Sequence, residues 1–123
     1  MKLFVTGGAG FVGSNFICRA LESNRDYSVV NYDKLTYAAN LANLKSVADD
    51  LRYRFVRGDI GDSEAVESAM RGCDAVVHFA AESHVDRSIY EPTSVIATNV
   101  NGTFVLLQIV RRMGIKRFVH IST

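Results

Sequence analysis

Two cysteines, Cys18 and Cys73, are too few and too far apart for a disulfide framework, and neither stands in a CxxC pair that would suggest a thiolate metal site. Charge of one sign is equally scarce. Acidic and basic residues are interspersed to a net charge of +1, without the basic run that nucleic acid or anionic lipid would require. No apolar stretch approaches membrane-spanning length, and the few apolar residues between Lys2 and the first glycines are too short a run for a secretory signal. Repeats, low-complexity tracts and linkers are also missing. These absences leave a single globular domain, expected in the reducing cytoplasm, binding neither nucleic acid nor membrane and holding no metal.

What is present is a glycine cluster placed almost at the start: Val5-Thr6-Gly7-Gly8-Ala9-Gly10-Phe11-Val12-Gly13, with Asp33 twenty residues beyond Gly13. Such spacing reads as strand, glycine turn, helix, strand and acidic residue. In that unit a diphosphate rests on a helix N-terminus and a carboxylate holds a ribose. Glycines also mark any tight turn, but here they follow a buried-strand run over Lys2–Thr6. They precede Phe11, Phe16, Ile17, Ala20 and Leu21 at helical spacing. Gly7 and Gly10 are expected to admit a diphosphate without a Cβ in the way, and Gly13 to let the helix pack close. The N–H groups of Phe11 and Val12 are expected at the phosphate oxygens.

The rest of the chain alternates in the same manner. Strands are predicted over Ser28–Tyr32, Tyr53–Val56, Ala75–Phe79 and Arg117–Ile121. A short helix capped by Asp62 and Ser63 carries Ala65, Val66, Ala69 and Met70 on one face, and Gly72 stops it. A long helix opens at Pro92, with Ile96, Val100, Thr103, Phe104 and Leu107 as its apolar stripe and Gly114 after it. Between Lys34 and Leu51 the pattern predicts a loop and a helix around Asn40–Asp50. Alternation with long crossovers predicts an α/β fold, a Rossmann-type doubly wound parallel sheet in the order 3-2-1-4-5.

On such a sheet, ligands bind at the carboxyl ends of the strands, where the polar candidates fall. Asp33 is expected to accept the two adenosine-ribose hydroxyls and to disfavour a 2′-phosphate, hence NAD over NADP, although neighbouring Lys34 could tolerate the phosphate. Asp59 and Ile60 are placed to meet adenine, or else form a plain Gly-Asp turn. Phe79, Ala80 and Ala81 offer small bulk beside the nicotinamide half, or simple helix–sheet packing. Glu82 through Arg87 is dense in polar groups without metal or acid–base spacing, and there Ser83 is expected to face the cleft. His78 and His120 are expected to be hydrogen-bonded structural histidines.

Four stretches carry a resemblance: TGGAGFVGS from Thr6, VVNYDKLTYAANLANL from Val29, HFAAESHVDRSI from His78 and TNVNGTFVLL from Thr98. Through them the chain resembles, from end to end, the extended short-chain dehydrogenase/reductases that act on nucleotide sugars, and within these the 4,6-dehydratase branch. The resemblance implies that Phe11, Val12, Asp33, Lys34, Leu35, Thr36, Asp59 and Ile60 bind the adenosine and diphosphate of NAD. Phe79, Ala80, Ala81, Ser83 and Thr98 would line its nicotinamide side, with Ser83 and the active-site Thr123 near the sugar. It further implies dTDP-glucose as substrate, oxidised at C4, dehydrated and reduced at C6, and a homodimer.

In that family an Asp-Glu pair directly follows the threonine, and a Tyr-x-x-x-Lys motif comes later. None of Tyr27, Tyr32, Tyr37, Tyr53 or Tyr90 has a lysine four residues on. The expectation is therefore an incomplete NAD-binding domain over residues 1–123, truncated before the last strands, without the C-terminal substrate-binding region and without turnover alone. The alternatives are an epimerase or decarboxylase sharing this cofactor half, or a non-catalytic NAD-binding module.

Overall fold

In the computed structural model, which describes residues 1–35, 40–80, 93 and 97–121, five strands form one parallel sheet in the order β3-β2-β1-β4-β5. They are β1 (Lys2–Thr6), β2 (Ser28–Asp33), β3 (Tyr53–Arg57), β4 (Ala75–His78) and β5 (Arg117–His120). The predicted order is the observed one. Register aligns their carboxyl ends: Thr6 lies beside Tyr32 and His78, Asp33 beside Arg57, and His78 beside His120. Every polar candidate on a strand end is thereby brought to one edge of the sheet.

Helix α1 (Phe11–Ser23) covers one face of the sheet, and α2 (Ser63–Met70) with α3 (Thr103–Met113) covers the other. β1 and β4 read as near-continuous apolar runs because they are buried on both faces, and β2 is equally buried although it carries Asn31 and Asp33. The core beneath α2 and α3 gathers Phe4, Val30, Tyr32, Val66, Met70, Val76, Leu106 and Ile109. Ile17, Leu21, Val5, Val29 and Leu44 fill the side under α1. Each such side chain contributes about 1.5–3 kcal/mol by leaving water.

Local signals end the helices as read. The Asp62 side chain accepts from the Ala65 N–H at 3.2 Å and starts α2. Gly114, left-handed at φ 71°, closes α3 with its N–H on the Arg111 carbonyl at 3.2 Å. Two expectations need correction. The predicted helix over Asn40–Asp50 is a shorter 3₁₀ helix, Leu41–Val47, begun by the Asn40 side chain accepting from the Ala42 N–H at 3.0 Å. A compact turn suffices there because only Leu44 and Val47 are buried.

The long helix also departs from its expected phase. Residues Ala97–Gly102 form a π-helical turn that runs into α3, whose buried face is Leu106, Ile109 and Val110. Val100, Phe104 and Leu107 of the expected stripe are instead exposed. A helix apolar on two faces has no phase of its own; contact with α2 and the sheet selects one. Pro92 and Ile96 lie outside the described residues.

Candidate functional site: the glycine loop and the ends of β1, β2, β3 and β4

Gly7 leaves β1 with φ 71° and donates its N–H to the Tyr32 carbonyl at 3.1 Å, so the loop turns while still joined to β2. The Gly10 N–H then bonds the Gly7 carbonyl at 3.2 Å, and α1 begins. A Cβ on Gly7 would stand 2.6 Å from the Ala80 backbone nitrogen. Gly13 sits against the Gly7 carbonyl and the Gly8 Cα, so its missing side chain lets α1 pack on the loop itself. Gly10 differs: a Cβ there would meet nothing closer than the Gly7 carbonyl oxygen at 3.4 Å. Gly7 and Gly13 are thus demanded by the fold, whereas Gly10 is free of such demand. Gly8 abuts the Asn31 side chain and Ile17, and no local spacing signals that contact.

Helix α1 starts without a side-chain cap and without an acidic residue in its first turn. The positive end of its dipole is therefore left uncompensated beside exposed Phe11 and Val12. Across the loop, Asp33 is 8% exposed and carries no salt bridge among the described residues. Its Oδ2 accepts from the Ala9 N–H at 2.9 Å and its Oδ1 from the Leu35 N–H at 2.7 Å. The carboxylate thus clamps the glycine loop to the end of β2, and Leu35 adopts φ 61° beside it. Each oxygen retains lone-pair capacity for a further donor.

Lys34 Nζ stands 3.1 Å from Asp59 Oδ2, so this cation is engaged at the end of β3. Asp59 Oδ1 accepts from the Gly61 N–H at 2.9 Å. That bond, and secondly Lys34, hold the Asp59 carboxyl below its ordinary range. The Tyr32 hydroxyl donates to the Asp59 carbonyl at 2.7 Å. Ile60 turns its side chain into the core.

At the end of β4, the Phe79 N–H bonds the Thr6 carbonyl at 2.9 Å and its ring packs on Phe16, with centroids 5.5 Å apart. The Ala80 N–H donates to Thr6 Oγ1 at 3.3 Å. His78, 1% exposed, lies between two hydroxyls: Nδ1 is 2.6 Å from Thr6 Oγ1 and Nε2 is 2.8 Å from Thr103 Oγ1. A neutral ring satisfies both, donating at one nitrogen and accepting at the other. The expected structural histidine is found, with His120 stacked on it at 4.8 Å. Thr98 falls in the π-helical turn. Thr36, Ala81, Ser83 and Thr123, with the whole Glu82–Arg87 cluster, lie outside the described residues. Among the described residues no group of His, Cys, Asp and Glu is placed to hold a metal, and no helix is long and apolar enough to cross a membrane.

Burial, and secondly His120, push the His78 imidazole from 6.5 down to about 4. Between those values the unfolded chain binds the proton and the folded chain refuses it, so stability falls as pH falls. The slope approaches about 1.4 kcal/mol per pH unit, on the order of 3 kcal/mol over the interval. Melting curves from pH 7 to 4 should show this loss, and the His78→Gln variant should show a shallower one. Equal slopes in the two proteins would exclude His78 as its source.

An uncapped helix start, a clamped strand-end carboxylate and a glycine turn on one sheet edge form a dinucleotide-type crossover. The family described as GDP-mannose 4,6 dehydratase matches residues 4–123. The chain belongs to that family. It is 51% identical, over its whole length, to a dTDP-glucose 4,6-dehydratase of Streptomyces niveus, of which it covers 38%. It superposes with a TM-score of 0.95 and 51% identity on the crystal structure of a dTDP-glucose 4,6-dehydratase double mutant from Streptomyces venezuelae, solved with NAD bound. That match covers 100% of this chain and 39% of the other. A UDP-glucose 4-epimerase of Thermotoga maritima, 33% identical, matches with a TM-score of 0.87 over 100% of this chain and 38% of its own. The chain therefore spans about two fifths of the length of the proteins it matches. The fold is common to dehydratase and epimerase. Identity is higher to the dehydratases.

Proposed function

We propose that this chain is the NAD-binding part of a nucleotide-sugar 4,6-dehydratase that converts dTDP-glucose to the 4-keto-6-deoxy sugar. The buried Asp33 carboxylate, held at the lip of the glycine loop, is the single observation that carries the cofactor assignment. It is fixed by two backbone donors and can accept ribose hydroxyls, while a 2′-phosphate would set two anions against each other. Lys34 pairs with Asp59, but both side chains are exposed, so the pair withholds this cation from a 2′-phosphate only in part. The start of α1, at Gly10, Phe11 and Val12, would hold the diphosphate. Lys34, Leu35, Thr36, Asp59 and Ile60 would surround the adenosine, and Phe79, Ala80, Ala81, Ser83 and Thr98 the nicotinamide. Ser83 and Thr123 would approach the sugar.

When bound, NAD supplies a hydride acceptor that is restored by the end of the cycle. This chain's own residues bind and orient it. Thr6 and Phe79 hold the Ala80 backbone at the floor of the nicotinamide side, and Gly7 packs directly beneath it. The substrate assignment is supported by the names of the dehydratases to which the chain is about half identical.

Titration of the complete polypeptide is expected to give NAD binding at least about tenfold tighter than NADP. Incubation with dTDP-glucose should yield a 4-keto product and no net NADH. Epimerised hexose without dehydration would replace this reading by the epimerase one. Absence of any NAD affinity would end both.

Exposed Val100 in the π-helical turn, with exposed Phe104 and Leu107 on α3 just after it, supports a homodimer formed through this helical segment, since such exposed apolar residues rarely line up. Phe104→Asp is expected to shift the protein to monomer in sedimentation, and a dimer unaffected by it would refute the assignment. Two free thiols, one of them buried Cys73, suit a reducing cytoplasmic setting, which fractionation of the source cells would check.

A further inference from the structure

Beneath the β3 turn lies a buried phenol that none of the proposed ligand contacts uses. Tyr32 is the residue before Asp33, inside the sheet and fully buried, with its ring tilted against Phe4 at 5.6 Å. A core position of this kind is filled equally well by phenylalanine, yet here it carries a hydroxyl. That hydroxyl donates to the Asp59 carbonyl at 2.7 Å. Gly58 has no room for a side chain because the phenol occupies the space: a Cβ there would overlap the hydroxyl and stand 2.6 Å from Cζ. The Gly58 N–H in turn bonds the Asp33 carbonyl at 3.1 Å.

We propose that Tyr32 is a positioning residue for adenine recognition: its hydroxyl, seated against the Asp59 carbonyl and backed by Gly58, sets the Asp59–Ile60 turn in the shape that reads the 6-amino edge of the base. The proposal rests on the NAD reading above. Three observations converge on it. The Asp59 carbonyl is held twice, by Tyr32 and by the Asp62 N–H at 3.0 Å, while its carboxylate is held by Gly61 and Lys34. The adenine turn is thereby tied to β2 at adjacent residues, Tyr32 and Asp33. The second of these is the ribose carboxylate, so one rigid strand sets the distance between the reader of the base and the reader of the sugar. Burial, and then the neighbouring Asp62 and Asp59, push the phenol up to about 12, which keeps it a donor throughout neutral pH.

The test compares NAD with nicotinamide hypoxanthine dinucleotide, which presents a 6-oxo group in place of the 6-amino group. Wild-type protein is expected to prefer NAD. Tyr32→Phe removes one hydroxyl and keeps the ring. It should weaken NAD binding roughly five- to tenfold while moving the hypoxanthine analogue by less than about twofold, so that the preference collapses. Gly58→Ala displaces the same hydroxyl from the other side and should collapse the preference too. A purely structural phenol would lower the melting temperature and weaken both dinucleotides alike. A preserved NAD preference in either variant, shown to be folded by circular dichroism, overturns the proposal, as does a wild-type protein indifferent to the two bases. Failure of wild-type protein to bind either dinucleotide is a separate result, because it removes the NAD reading itself.

Discussion

Replacing Asp33 with alanine is expected to weaken NAD binding by about a hundredfold or more and to loosen the glycine loop as well. Hydrogen bonds to a charged acceptor are worth about 1.5–3 kcal/mol each, and two ribose hydroxyls would lose theirs together. The same carboxylate accepts the Ala9 and Leu35 N–H groups at 2.9 and 2.7 Å. Leaving the buried Ala9 donor unpaired costs about 1–3 kcal/mol and the part-buried Leu35 donor less, so the melting temperature should fall with the affinity. Asp33→Asn separates the two roles. Its amide oxygen can still take one of the backbone donors while its NH2 faces the other, so only part of the stability is spared, and the lost charge should narrow the gap between NAD and NADP. Calorimetric titration of both cofactors, with melting curves on the same samples, checks each part. An unchanged dissociation constant in Asp33→Ala would show that the carboxylate serves the loop alone.

Gly7→Ala is expected to be among the most damaging single-methyl changes at the described residues. At φ 71° any side chain is strained, by about 1–2 kcal/mol. The added Cβ would also press on backbone, 2.6 Å from the Ala80 nitrogen and 2.8 Å from its Cα. Backbone cannot swing aside as a side chain can, and such overpacking costs about 1–3 kcal/mol more. A total near 3 kcal/mol lowers Tm by on the order of 10 °C for a chain of this size. NAD binding should be lost with it, because the loop and the Ala80 segment shift together. Gly10→Ala supplies the contrast. With its nearest neighbour at 3.4 Å it should melt close to wild type yet bind NAD poorly, because there the ligand, not the fold, needs the space. A Gly10→Ala protein with full affinity would place the diphosphate elsewhere.

Much of this architecture was legible from local pattern. Strand runs, the Asp62 cap and the Gly114 stop are short-range devices, acting within three or four residues of themselves, and all three are found where the spacing puts them. Elsewhere the local pattern is degenerate. Helix α3 offers Phe104 and Leu107 on one side and Leu106, Ile109 and Val110 on another, and hydropathy weighs both alike. The Asn40–Asp50 stretch has helical composition but buries too little to sustain a full helix. Gly8 carries no local signal because the atoms it makes room for belong to Asn31 and Ile17.

Chain order alone settled the crossover unit, the parallel sheet and the carboxylate at the tip of its second strand, since hydrogen-bonding geometry and hydrophobic period leave few other solutions. Folding in three dimensions assigned the partners: the Asp33 carboxylate to the Ala9 amide 24 residues away, the Tyr32 hydroxyl to Asp59, and the His78 ring to Thr6 across 72 residues. Such contacts join elements whose separation along the chain carries no periodic signal. They exist only once neighbouring strands are in register, and that register places the ends of β1, β2, β3 and β4 side by side.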